Sequence, residues 1–96
     1  MSTSSQERVL DLRELEPPEP FVQSLAALEQ LPPGHYLHLV HNRAPAMLYP
    51  ELSPRGFCSE TREHRDGLFH VMVWRETENE AGTAALKQLD EIIAGG

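Results

Sequence analysis

An α+β fold, with helices laid on one face of a four-stranded mixed sheet, is predicted from three observations. Four short segments alternate apolar and polar residues, at 8–12, 35–41, 57–64 and 68–75. Segments of helical period separate the first three, and another follows the last. Proline and glycine clusters punctuate the boundaries. The resulting order is strand, helix, strand, helix, two-stranded hairpin and an additional C-terminal helix. Right-handed crossovers place the two intervening helices on the same side of the sheet, which would bury Leu10, Leu12, Leu37, Leu39, Phe69, Val71 and Val73 beneath them.

Met1 to Gln6 is polar and serine-rich and reads as a flexible lead-in. Arg8 to Leu12 reads as the first strand, with Leu10 and Leu12 on one face and Val9 and Asp11 on the other; Pro17–Pro18 must end any extension of it. Phe21, Val22, Leu25, Leu28 and Leu31 then recur near helical spacing. Pro18 or Pro20 suits the first turn of this helix, where a missing backbone donor costs nothing, and Glu19 lies near the positive end of its dipole. Pro32–Pro33–Gly34 stops it.

The second strand, His35 to His41, sets Leu37 and Leu39 against Tyr36, His38 and Val40 on opposite faces. Ala44 to Ser53 carries Met47, Leu48 and Leu52, with Pro45 placed to open a helix and Pro50 placed to disturb it, so a short or kinked helix is expected, closed by Ser53–Pro54–Arg55–Gly56. Arg65–Asp66–Gly67 marks a hairpin. A two-residue turn would pair Arg62 and Glu60 with Val71 and Val73, whereas a three-residue loop with a glycine bulge pairs them with His70 and Met72 and keeps the charges on the outer face. The second register is preferred. From Asn79 to Ala94, Ala81, Ala85, Leu86, Leu89, Ile92 and Ile93 form an amphipathic helix, with Asn79 as its cap and Gly82 weakening its first turn.

These segments divide the chain into a lead-in (1–6), an α/β sandwich domain (7–76) and a C-terminal amphipathic helix (77–96). Ninety-six residues form one core, burying roughly 60–65% of the surface of the unfolded chain. A net charge of −7 argues against nucleic acid, whose phosphates require a basic face. No apolar run reaches the length of a membrane helix. A single cysteine, Cys58, and an amino terminus without a secretory signal lead to a cytoplasmic expectation.

The stretch Leu10–Phe21, LDLRELEPPEPF, resembles the strand, elbow and helix signature of the TusA/SirA sulfur-carrier superfamily, in which leucine and aspartate precede Cys-Pro-x-Pro at the helix start. Pro17, Pro18, Glu19 and Pro20 stand in those four places. Pro45–Ala46–Met47–Leu48–Tyr49, Arg55–Gly56 and the Asp66–Gly67 hairpin resemble a related bacterial family, domain of unknown function 2249. The resemblance spans Val9 to Trp74. It implies a two-layer sandwich with strand order 1-2-4-3 and the last strand antiparallel to the rest. Pro17 replaces the carrier cysteine, and proline can neither carry a persulfide nor act as a nucleophile.

Five histidines raise the question of metal. His35 and His41 point to one strand face and His38 to the other, so these three cannot converge on one ion. With strands two and four adjacent, a different set gathers on the outer face: His38, His70, His64, Met72 and Cys58, donors suited to copper(I) or zinc. Tyr36, Val40, Met72 and Trp74 on that face form an apolar surface that must be covered. Either the last helix folds back on it through Leu86, Leu89 and Ile93, or a second subunit or protein partner does. At the elbow, Glu16, Pro17, Pro18, Glu19, Arg43 and Tyr49 are candidates for ligand or partner binding.

Three functions follow as expectations. The first is a non-enzymatic accessory or interaction domain, with no catalytic residues and no cofactor, that binds a protein partner, a second copy of itself or a small ligand. The second is a metal- or redox-linked domain holding a transition metal through the outer-face histidines. The third is sulfur transfer through Cys58.

Overall fold

The structure is a computed structural model in which residues 6–95 are described; apart from Gln6, the expected lead-in lies outside those residues. Its order is β1 (Glu7–Asp11), α1 (Glu19–Glu29), β2 (Tyr36–His41), α2 (Tyr49–Leu52) continuing into a 3-10 turn at Ser53–Arg55, β3 (Phe57–Glu63), β4 (Phe69–Arg75) and α3 (Asn79–Gly95). The four strands form one sheet in the order β1-β2-β4-β3. β1 runs parallel to β2, and β4 is antiparallel to both of its neighbours. This is the mixed α+β sandwich expected, with α3 added as a cover on the other face.

Strand parity sorts the side chains. Leu10, Leu12, Leu37, Leu39, Val71, Val73 and Phe57 face α1 and α2 and pack with Leu28, Leu31, Leu48 and Leu52 as the main core. Full burial of each aliphatic side chain of this kind contributes about 1.5–3 kcal/mol. The outer face carries Glu7, Val9 and Asp11 on β1, in register with Tyr36, His38 and Val40. His70 and Met72 on β4 pair with Val40 and His38. Glu60 pairs with Met72 and Arg62 with His70, so the hairpin has the three-residue loop. Gly67 closes it at φ +90°, a left-handed conformation suited to glycine.

Several local expectations are corrected. Pro50, not Pro45, stands in the first turn of α2, because Pro45 lies in a preceding turn where its carbonyl accepts the Leu48 N–H at 2.9 Å. The helix is consequently a single turn, and Met47, expected in its apolar set, is 69% exposed. In α1 the buried positions are Pro20, Ser24 and Leu28, while Val22 is 50% exposed. α1 ends where Arg75 reaches across from β4 and donates to the carbonyls of Leu31 and Pro32 at 2.6 and 3.3 Å.

α3 lies on its own sheet, burying Tyr36 and Met72 against Ala85 and Leu89, with Trp74 and Ile92 at the margin. Leu86, expected to point inward, is 38% exposed, because Ala85 and Leu89 already occupy the inward stripe. Gly82 is needed in this contact: a Cβ there would lie 2.5 Å from the Trp74 Nε1. The residue that weakens the first turn is the one that lets the helix approach the indole.

Candidate functional site

The carboxyl ends of the parallel strands β1 and β2 open beside the start of α1. In sheets with parallel strands and covering helices, this is where ligands are received. A cavity of about 310 Å³ lies there, between the elbow (Arg13, Leu15, Pro17, Pro18, Pro20, Phe21, with Ser24 behind) and the segment from His41 to Leu48. Of the elbow candidates, Pro17, Pro18 and Arg43 line it. Glu16, Glu19 and Tyr49 do not. Glu19 accepts a hydrogen bond from Gln23 at 3.3 Å, and the Tyr49 hydroxyl is engaged with the Thr61 Oγ1 at 2.6 Å, drawn there because its ring packs against the main core.

None of the lining residues is acidic, although the chain carries a net charge of −7. Two arginines border the space in different states. Arg13 is clamped by the Asp11 carboxylate, with Nε to Oδ1 at 2.9 Å and Nη2 to Oδ2 at 2.6 Å, and the guanidinium holds that carboxyl down at about 2. Arg43 makes no ion pair or hydrogen bond among the described residues. His41 is a third donor, weighed from sequence only as a metal ligand with His35 and His38. The residue is 6% exposed and lines the cavity. The Asn42 backbone N–H lies 2.9 Å from its Nδ1, closer than the Asn42 Oδ1 at 3.2 Å. That contact makes Nδ1 the acceptor and leaves the proton on Nε2, which has no hydrogen-bond partner among the described residues. The signal that could have found His41 is its place as the last residue of a parallel strand, facing the helix start.

The outer face is organised differently. The Glu7 carboxylate lies 2.8 Å from the His38 Nδ1, and the His38 Nε2 lies 2.9 Å from the His70 Nδ1. A carboxylate only accepts, so the His38 Nδ1–H donates to it and the His38 Nε2 accepts from the His70 Nδ1–H. Burial, and then the neighbouring His38, lower the pKa of His70. Burial, and then Glu7, push the adjacent Tyr36 phenol up to about 12.

The five-member donor set expected on this face is corrected. Both nitrogens of His38 are engaged. Met72 is sealed under α3 with no exposed surface. Cys58 pairs with Trp74, four positions along β3 from the partner of His70, about 13 Å at roughly 3.3 Å per residue. Among the described residues no three His, Cys, Asp or Glu side chains converge on a common metal position. The Cys58 thiol is pushed up by burial and then by Glu76, which disfavours the thiolate that sulfur transfer requires. Of the proposed interaction surface, Tyr36, Met72 and Leu89 are buried within the chain itself, Val40, Trp74 and Ile93 are half-buried, and Leu86 is exposed.

Residues 9–75 match the family described as uncharacterized conserved protein (DUF2249). The chain belongs to that family. The DUF2249 domain also resembles in fold the crystal structure of a SirA-like protein from Desulfitobacterium hafniense, at 19% identity and a TM-score of 0.60, over 68% of this chain and 92% of that one. No curated protein matches it. Among the described residues no helix is long and apolar enough to cross a membrane.

Proposed function

We propose that this DUF2249 domain is a non-enzymatic binding domain whose elbow cavity takes a small organic anion, a carboxylate on a compact apolar body. The observation that carries this reading is the donor arrangement in a cavity without acidic residues. Arg43 is uncommitted, His41 offers an Nε2–H from a buried ring, and proline, alanine and leucine side chains supply the walls. A guanidinium matches a carboxylate in two parallel hydrogen bonds. At about 310 Å³ the space is at the small end of ligand sites.

No activated nucleophile faces the cavity. Pro17 stands at the elbow, and the Ser24 hydroxyl is spent on the Pro20 carbonyl at 2.7 Å. Those residues support a reading of binding without covalent chemistry. Calorimetric titration with benzoate and hexanoate, against benzamide and hexanamide of the same shape, tests the reading. The acids are expected to bind and the amides to bind at least about tenfold more weakly, as the loss of a charged hydrogen bond requires. Equal binding of acids and amides would contradict it.

A further inference from the structure

Two histidines stand side by side on the outer face, His70 with its Nε2 lone pair free, and the geometry points to a site for a borderline divalent metal ion, of the zinc class, chelated by the Nε2 atoms of His70 and His64. The two residues sit diagonally across the hairpin: His64 N–H donates to the Leu68 carbonyl at 2.8 Å, and His70 follows two positions later on the same face. Their ring centroids are 6.2 Å apart, edge to face. A zinc–nitrogen bond of about 2.0–2.1 Å puts two imidazole centroids that share an ion roughly 5–6 Å apart, close to the separation of these two rings.

The His70 ring is oriented through its other nitrogen. His70 Nδ1–H is held by His38, which is held in turn by Glu7. His64 Nδ1 lies 3.2 Å from the Asp66 Oδ1, and that carboxylate is anchored by the Leu68 N–H at 2.9 Å. The same nitrogen accepts the Asp66 backbone N–H at 3.4 Å, and a metal on Nε2 would move the ring proton to Nδ1, beside that carboxylate. Histidines that bind metals commonly donate the second ring N–H to a carboxylate or another acceptor in this way, which fixes the tautomer and raises the basicity of the ligating nitrogen. The site is not left open by chance rotamers: the His64 side chain is only 12% exposed. Two of the nearby arginines are neutralised, while Arg65, next to His64, makes no ion pair among the described residues. Arg62, beside His70, is paired with Glu60, and Arg13 is paired with Asp11. The role of His38 changes accordingly, from ligand to positioning residue. Two protein nitrogens leave the remaining coordination positions to water.

Zinc chloride titrated into untagged protein at neutral pH, followed by long-range ¹H–¹⁵N NMR of the imidazoles and by calorimetry, tests the site. Without zinc, His38 and His70 are expected as Nδ1–H tautomers and His64 as the Nε2–H tautomer; zinc is expected to move the His64 proton to Nδ1. Zinc is expected to bind one per chain and to shift Nε2 of His64 and His70, leaving Nε2 of His38 in its hydrogen bond. His64→Ala and His70→Ala should each weaken binding by about tenfold or more, and Glu7→Ala by roughly 10-fold through the lost orientation, while His35→Ala should not change it. No binding to the wild type, zinc shifts confined to other histidines, or unchanged affinity in folded His64→Ala and His70→Ala variants would overturn the assignment. Zinc binding does not depend on the elbow cavity, so either reading can fail without the other.

Discussion

The elbow and the outer sheet face each hold histidines of restricted exposure, yet they present opposite chemistry. At the elbow the His41 Nδ1 is taken by a backbone N–H, so the ring offers a proton beside an uncommitted Arg43. On the outer face the Glu7 carboxylate takes the His38 Nδ1 proton and, through His38, orients His70, so that ring offers a lone pair. Donors in an acid-free cavity suit an anion, whereas acceptors backed by carboxylates suit a cation. The residue type is the same; what its second nitrogen touches decides its use.

Arg43→Glu should break the comparison at the elbow most severely. Removing one charge-assisted contact costs roughly 1.5–3 kcal/mol, or about 10- to 150-fold in affinity, and reversing the charge adds repulsion. Benzoate binding should vanish while the outer-face histidine chain stays intact by NMR; retained benzoate affinity would remove Arg43 from the site.

Next in size are changes on the outer face read as stability. Glu7→Ala leaves the His38 Nδ1–H without its acceptor in a largely buried position and should cost about 1–3 kcal/mol in denaturant unfolding. Gly82→Ala drives a methyl group into Trp74 and should cost about 1–3 kcal/mol by overpacking. Neither should alter benzoate affinity in the folded protein. A shared loss would mean that the two regions are coupled.

The smallest effect is expected at Asp11–Arg13, which is exposed. The carboxyl is held down at about 2 from its ordinary 3.8, so its contribution is present above pH ~3.8 and fades as pH falls toward about 2. Asp11→Asn should remove that acid limb from the stability profile and change little at neutral pH, because surface pairs contribute little. At the elbow the same variant frees Arg13 and is expected to strengthen benzoate binding slightly.

How much of this was legible in the sequence follows the range of each interaction. Alternation placed Leu37 and Leu39 opposite His38, and Asp66–Gly67 with the charges on Glu60 and Arg62 set the hairpin register, because strand parity and turn chemistry act over a few residues. The second helix was misplaced because Pro45 and Pro50 are both acceptable at a helix start, and only packing chooses between them. The elbow was recognisable from its prolines, but His41 was not. Its role depends on the end of β2 lying beside the start of α1. His38 looked like a ligand because nothing local shows that Glu7, 31 positions earlier, meets it across a parallel pair. Gly82 looked like a weakness because its partner Trp74 lies on another element.

The tautomer of His41 tests the central claim most directly. Long-range ¹H–¹⁵N NMR at neutral pH should show the proton on Nε2 of His41, with its resonance moving on addition of benzoate while those of His38, His64 and His70 stay in place. A His41 proton on Nδ1, with the Nε2 resonance unmoved by saturating benzoate, would contradict the elbow as an anion site.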